Sequence, residues 1–158
     1  MTLLNAELHI NVSILKENIC YLKTRIDKKS NFLAVVKANA YGHSLKKFVE
    51  KLDDYIDGYA LVRLDEALQV RDLSKKPILL MQGIYDDDEA IIAKRNGFMC
   101  VLHTQEQIRT YSRNLENKNI WLKVNTGMNR LGFSENVLTD LNLLNIKPSV
   151  LMLSLIHI

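Results

Sequence analysis

"PILLMQGIYDDDEAIIAKRNGFMCVLH", Pro77 to His103, sets two apolar runs on either side of one amphipathic segment. Pro77 opens the first run and Gly83 closes it, a length that suits a buried strand better than a helix. Asp86, Asp87, Asp88 and Glu89 crowd the start of the middle segment, and Lys94 and Arg95 its end. Those charges complement a helix dipole at both ends, and Gly97 is the residue type that commonly stops a helix. Four adjacent acids also fit a cation site, but the dipole reading needs no ligand and is preferred. "FMCVLH" returns as a second strand, and Thr104 with Gln107 resembles a capping box for a further helix. A strand, a helix and a strand in this order join parallel neighbours.

The same alternation extends in both directions. Towards the C-terminus, "NIWLKVN" reads as a strand, Ser134 to Asn145 as a helix and "PSVLML" as a strand. Towards the N-terminus, Leu64 to Leu73 reads as a helix and Gly58 to Val62 as a strand. Leu45, Phe48, Val49 and Leu52 mark another helix, and Phe32 to Val36 another strand. Asn11 caps a first helix in which Val12, Leu15, Ile19, Leu22 and Ile26 recur at helical spacing. A short strand is expected before it, over Glu7 to Ile10. About six strands thus follow the first helix with a period of roughly 20 to 25 residues, which predicts a parallel sheet with helical crossovers. Two architectures satisfy this pattern. An open doubly wound sheet closes comfortably within 158 residues. A (β/α)8 barrel typically needs about 250 residues and would be incomplete here.

Composition narrows the functional classes. With 47% hydrophobic and 25% charged residues the chain reads as an ordinary soluble domain. The net charge of +3 comes from scattered lysines rather than a basic stripe with interleaved aromatics, which argues against nucleic acid. Cys20 and Cys100 form no CxxC and no metal spacing, which fits a reducing cytosol. No secretory pattern opens the chain, and no apolar run approaches the roughly 20 residues of a membrane span. His9, His43, His103 and His157 show no metal-ligand spacing, and HExxH, GxSxG, GxGxxG and GxxxxGK[ST] are all absent.

In either α/β architecture, ligands bind at the C-terminal ends of the strands. Two such ends carry chemistry. Lys37 follows directly on "LAVV", and partial desolvation of an amine there favours its neutral form. A neutral amine condenses with an aldehyde, and pyridoxal phosphate is the cofactor usually held that way. A lysine snorkelling to the surface is the plainer and commoner alternative. The second end is "WLKVNTGMNRLGF", Trp121 to Phe133. Lys123 lies within an apolar strand, on the face opposite Leu122 and Val124. Gly127 and Gly132 allow close backbone approach. Arg130 offers a planar fork for a carboxylate, phosphate or phenolate, against the plainer reading of an exposed loop arginine.

Taken together, the two stretches are specific. "AVVKANAYGHS" resembles the pyridoxal-phosphate lysine motif of alanine racemases, AVVKANAYGHG, and "WLKVNTGMNRLGF" resembles that family's second signature. "AELHINVSILKENI" is similar to the family's opening strand and helix, so that the resemblance covers residues 6 to 152. It implies an α/β fold, a partial (β/α)8 TIM-type barrel of about six βα units, incomplete at the C-terminus. It implies an isomerase that interconverts L-alanine and D-alanine through a pyridoxal phosphate Schiff base on Lys37, for peptidoglycan supply in the cytoplasm. Lys37 would also act as one of two acid/base groups at the substrate α-carbon. Tyr41 would contact the cofactor phosphate. Arg130 would bind the phenolic oxygen and orient substrate, and Lys123 matches a position that is carbamylated in some members, where it braces the arginine. Members are homodimers, with a β-rich C-terminal domain and a second base, a Tyr, contributed by the partner subunit.

Three departures matter. Ser44 stands where the motif has Gly, and Asn125 where many members have Asp. After "VLM" the family continues with Ser/Thr-His-Phe, whereas this chain reads "LSLIHI". Residues 1–152 are therefore expected to be the N-terminal part of the barrel domain and 153–158 a non-native tail, with the C-terminal β domain absent and His157 not the family histidine. A chain of that extent is expected to be inactive. Two alternatives stay open beside alanine racemase: a racemase of broader amino-acid specificity, and a non-catalytic pyridoxal-phosphate-binding barrel. A plain α/β binding domain without cofactor is a third.

Overall fold

A computed structural model describes residues 7–114, 120–134, 136 and 147–154. In chain order its elements are α1 (Val12–Lys23), β1 (Leu33–Val35), a short helical segment α2 (Lys37–Tyr41), α3 (Leu45–Leu52), the 3-10 turn η1 (Asp53–Tyr55) and β2 (Gly58–Leu61). They continue as α4 (Leu64–Leu73), β3 (Ile78–Leu80), α5 (Asp87–Asn96), β4 (Met99–Leu102), α6 (Gln105–Asn114), β5 (Ile120–Asn125) and β6 (Val150–Ser154).

The six strands form one sheet in the order β1-β2-β3-β4-β5-β6, and every neighbouring pair is parallel. Neighbours in sequence are neighbours in space throughout. An open doubly wound sheet reverses its strand order at a switch point, and this sheet has no reversal. The strands instead curl into a half-barrel, so the barrel reading holds and the open sheet does not. Pairing of β6 with β5 runs without a break from Val150 to Ser154.

The middle strands β2 and β3 are buried on both faces, which is why they read as continuous apolar runs rather than alternations. Tyr59, Leu61, Ile78, Leu80, Cys100, Leu102, Ile120 and Leu122 pack outwards with Ala67, Val70, Ala90 and Ala93 of the helices. The alternate positions Ala60, Leu79 and Val101 form a separate inner cluster with Leu33, Met81, Met99, Trp121 and Met152.

The helix ends follow their capping chemistry. Asn11 Oδ1 accepts the Ile14 N–H at 3.1 Å, and Asp86 Oδ1 accepts the Glu89 N–H at 2.8 Å. Gly97 ends α5 in the left-handed conformation, with φ 64°. The capping box at α6 is half formed. Thr104 Oγ1 accepts the Gln107 N–H at 3.2 Å, but Gln107 Oε1 takes the N–H of His103, at 3.0 Å, instead of that of Thr104. Glu7 to Ile10 is not a strand: it has no regular structure and no ladder partner among the described residues. The helix expected over Ser134 to Asn145 lies, apart from Ser134 and Asn136, outside the described residues.

Candidate active site

The chain leaves β1 through Val36, whose N–H still bonds to the Ala60 carbonyl at 3.0 Å. Lys37 comes next, half-buried at the C-terminal end of the strand, its Nζ 5.9 Å from the centre of the Tyr41 ring. Tyr41 is exposed. Between the two, the backbone winds left-handed. Ala38, Asn39, Ala40 and Tyr41 have φ between 52° and 54°, a conformation that costs an L-residue roughly 1–2 kcal/mol each. Internal hydrogen bonds offset part of this: Ala40 N to Val36 O at 2.9 Å, Gly42 N to Ala38 O at 2.9 Å and His43 N to Ala40 O at 3.0 Å. Two side chains complete the segment. Glu66 Oε1 accepts the Asn39 N–H at 2.9 Å, and Asn39 Oδ1 accepts the Leu45 N–H at 2.8 Å. Ser44, at φ 68°, caps α3 by accepting the Lys47 N–H at 3.4 Å. A positive φ at this position accounts for the family's glycine.

Lys123 is 7% exposed within β5, paired in register with Met152. Leu122 and Val124 belong to the outer core, so the opposite-face expectation holds. Burial, and then the charge of Arg130, hold the Lys123 ammonium below its ordinary pKa. Beyond β5 the chain turns back on itself: Asn125 N donates to Phe133 O at 2.8 Å and Phe133 N to Lys123 O at 2.9 Å. Asn125 organises the loop. Its Oδ1 accepts the N–H groups of Gly127 at 3.1 Å and Asn129 at 3.0 Å, and its Nδ2 donates to Asn129 Oδ1 at 2.9 Å. Gly132 has no room for a side chain, since a Cβ there would sit 2.6 Å from Asn125 N. Gly127 meets nothing within 4 Å, so close approach, expected at both glycines, applies to Gly132 alone, and Gly127 serves its φ of 116°. Arg130 stands exposed on this loop.

His103 was not singled out by sequence, because its spacing to other histidines is uninformative. Its place one residue beyond β4 was the available signal. It is half-buried, and burial followed in the same direction by the charge of Lys123 lowers its pKa. The Gln82 carbonyl accepts from His103 Nε2 at 3.2 Å and from Gln107 Nε2 at 2.6 Å. That contact assigns the proton to Nε2. The charge of Arg130 thus acts on Lys123 and that of Lys123 on His103, while Lys37 lies beside the Tyr41 ring at the end of β1. No hydrogen bond or ion pair joins Lys37 to Arg130 among the described residues.

Lys37, Lys123 and Arg130 have no ion-pair partner among the described residues. Cations left without anions at the C-terminal ends of parallel strands fit a ligand that brings negative charge. An amine and a guanidinium are also the donors that an aldehyde bearing a phosphate and a phenolic oxygen requires.

Residues 10–153 match the family described as alanine racemase, N-terminal domain. Alanine racemase from Mannheimia succiniciproducens is 42% identical over 132 residues, covering 82% of this chain and 37% of that protein. The crystal structure of the biosynthetic alanine racemase from Pseudomonas aeruginosa superposes with a TM-score of 0.76 at 34% identity, over 87% of this chain and 40% of that one. Histidine racemase from Leuconostoc mesenteroides superposes at 0.72 with 26% identity, over 89% of this chain and 39% of that one. The chain spans less than half the length of each. With the lysine and arginine motifs at the strand ends where the barrel places ligand contacts, and with this match over nearly its whole length, the chain belongs to the alanine racemase N-terminal domain family.

Proposed function

We propose that the chain is the N-terminal part of a pyridoxal-phosphate-dependent racemase that interconverts L-alanine and D-alanine. The observation that carries this reading is Lys37 at the C-terminal end of β1, on a half-barrel where Lys123 and Arg130 have no ion-pair partner among the described residues. Lys37 would hold the cofactor through its amine, Tyr41 would donate to its phosphate, and Arg130 would face its phenolic oxygen and orient the substrate carboxylate. Pyridoxal phosphate, when bound, supplies the electron sink that stabilises a carbanion at the substrate α-carbon. Racemisation needs an acid/base group on each face of that carbon. Lys37 serves one face, and a tyrosine outside this chain, from the partner of a homodimer, serves the other. Lys123 is a candidate for carbamylation, because a buried amine disfavoured as a cation can take up carbon dioxide and present a carboxylate to Arg130. The physiological setting we infer is D-alanine supply for peptidoglycan in the cytoplasm.

Borohydride reduction after adding pyridoxal 5'-phosphate tests the reading. We expect a pyridoxyl mass on Lys37, and a visible absorbance band that is absent from Lys37→Ala. Label spread evenly over the surface lysines would overturn it. The 158-residue chain alone is expected to show no alanine racemisation above that of free cofactor. A racemase acting on other amino acids is the second reading, favoured by the similarity to a histidine racemase. A non-catalytic cofactor-binding barrel is disfavoured by "NAYGH" and "TGMNRLG".

A further inference from the structure

We propose that Glu66 is a positioning residue: its carboxylate locks α2 in the left-handed form and so sets the placement of Lys37 and Tyr41. The proposal rests on the cofactor reading of Lys37. Glu66 is the third residue of α4, where a glutamate ordinarily turns back to cap its own helix. Residue Arg63, at the N-cap of α4, makes no side-chain cap bond, and the Glu66 carboxylate reaches instead across 27 positions of sequence to the Asn39 N–H. It does so while 9% exposed, with no ion pair, and with Oε2 lacking any hydrogen-bond partner among the described residues. Glutamates are rarely buried without a compensating partner. A carboxylate kept here in spite of that cost implies a constraint on what it holds.

The left-handed turn explains the constraint. Its internal hydrogen bonds use the N–H groups of Ala40, Gly42 and His43, which leaves that of Asn39 for an outside acceptor. Glu66 supplies it. The Asn39 side chain then fastens the exit of the turn to the Leu45 N–H at the start of α3. The line Glu66–Asn39–Leu45 therefore clamps the segment between the lysine that precedes it and the tyrosine within it. Four consecutive non-glycine residues at positive φ have no reason of their own to stay there. Without the carboxylate, the segment relaxes towards the right-handed region, and the spacing between Lys37 and Tyr41 is lost.

The test uses the full chain in five forms: wild type, Glu66→Gln, Glu66→Ala, Ala38→Gly and Glu66→Ala combined with Ala38→Gly. Amide hydrogen exchange is read at residues 38–42 and, as an internal reference, in β3 and β4. Borohydride-fixed pyridoxyl on Lys37 is read relative to the other lysines. Glu66→Ala is expected to speed exchange at Asn39 about tenfold or more, to lower the Lys37 preference by a similar factor, and to leave β3 and β4 protected. Glu66→Gln keeps the acceptor oxygen and stays near wild type. Ala38→Gly, which removes the Cβ penalty at φ 52°, restores part of the loss in the double variant. Unchanged exchange at Asn39 in Glu66→Ala overturns the proposal, as does a loss in Glu66→Gln equal to that in Glu66→Ala. Uniform loss of protection in β3 and β4 also overturns it, since the role would then be structural. Absence of label on Lys37 in the wild type sinks the cofactor reading instead, while the exchange comparison still decides the lock.

Discussion

Ser44 shows how one side chain can serve two opposed demands. Its hydroxyl caps α3, yet its backbone sits at φ 68°, where a Cβ is unwelcome. Replacing a serine cap by glycine forfeits only a few tenths of a kcal/mol, whereas relief of a positive φ is worth roughly 1–2 kcal/mol. Ser44→Gly is therefore expected to stabilise the chain by about 1 kcal/mol, read as a raised urea midpoint at constant slope; an unchanged or lowered midpoint contradicts this. Lys37 and Arg130 were legible in sequence because each interrupts an apolar or turn-forming pattern with a charge. Glu66 and His103 were not. Glu66 looks like an ordinary acidic residue in the first turn of a helix, and its partner lies far away in sequence.

At the scale of elements, α5 was readable in detail. Acids at its start, bases at its end and Gly97 beyond it are local effects, and the structure places each where the helix dipole and cap require. Asp86→Ala removes the bond to the Glu89 N–H and is expected to cost about 1 kcal/mol, measurable by denaturant unfolding. Asp86→Asn retains an acceptor and should lose much less. The acidic run is accounted for by capping, with Glu89 also accepting the Tyr85 N–H at 2.9 Å. The segment "KANAY" was less legible. Its alanines favour a helix of either placement, and no residue but Asn39 advertises a positive φ. Beyond its internal hydrogen bonds, it is held from outside by Glu66 and, through the Asn39 side chain, by Leu45.

At the scale of the molecule, the two ends of the half-barrel carry different burdens. Lys37 and Arg130 lie beyond the C-terminal ends of their strands, and the N-terminal ends hold stabilising contacts, as barrels of this type commonly do. Asp57 is the centre of one such group. Its carboxylate accepts the Phe32 N–H at 2.7 Å and Lys23 Nζ at 2.9 Å, tying the entry of β1 to α1 and to the approach of β2. The Phe32 hydrogen bond, then that of Lys23, hold its pKa below the ordinary 3.8. The unfolded chain consequently takes up a proton before the folded one as pH falls. The stabilisation is fully present above 3.8 and disappears as pH drops through the lowered folded value. Asp57→Asn should flatten the acid limb of stability between about pH 5 and pH 2, followed by urea unfolding. An acid limb as steep as that of the wild type would rule out this role.

Much of this protein was settled by short-range chemistry. Strand and helix positions, caps, and the two motifs depend on periodicity and on residues a few places apart, so the order of residues encodes them directly. The choice between an open sheet and a barrel depended on the order of strand pairing, which is a matter of contacts between segments some 20 residues apart. The left-handed winding after Lys37, the Glu66 contact that meets it, and the lowered pKa values of Lys123 and His103 likewise required the folded chain. Each arises from burial and from neighbours brought together across the sheet, and no local pattern of residues specifies either.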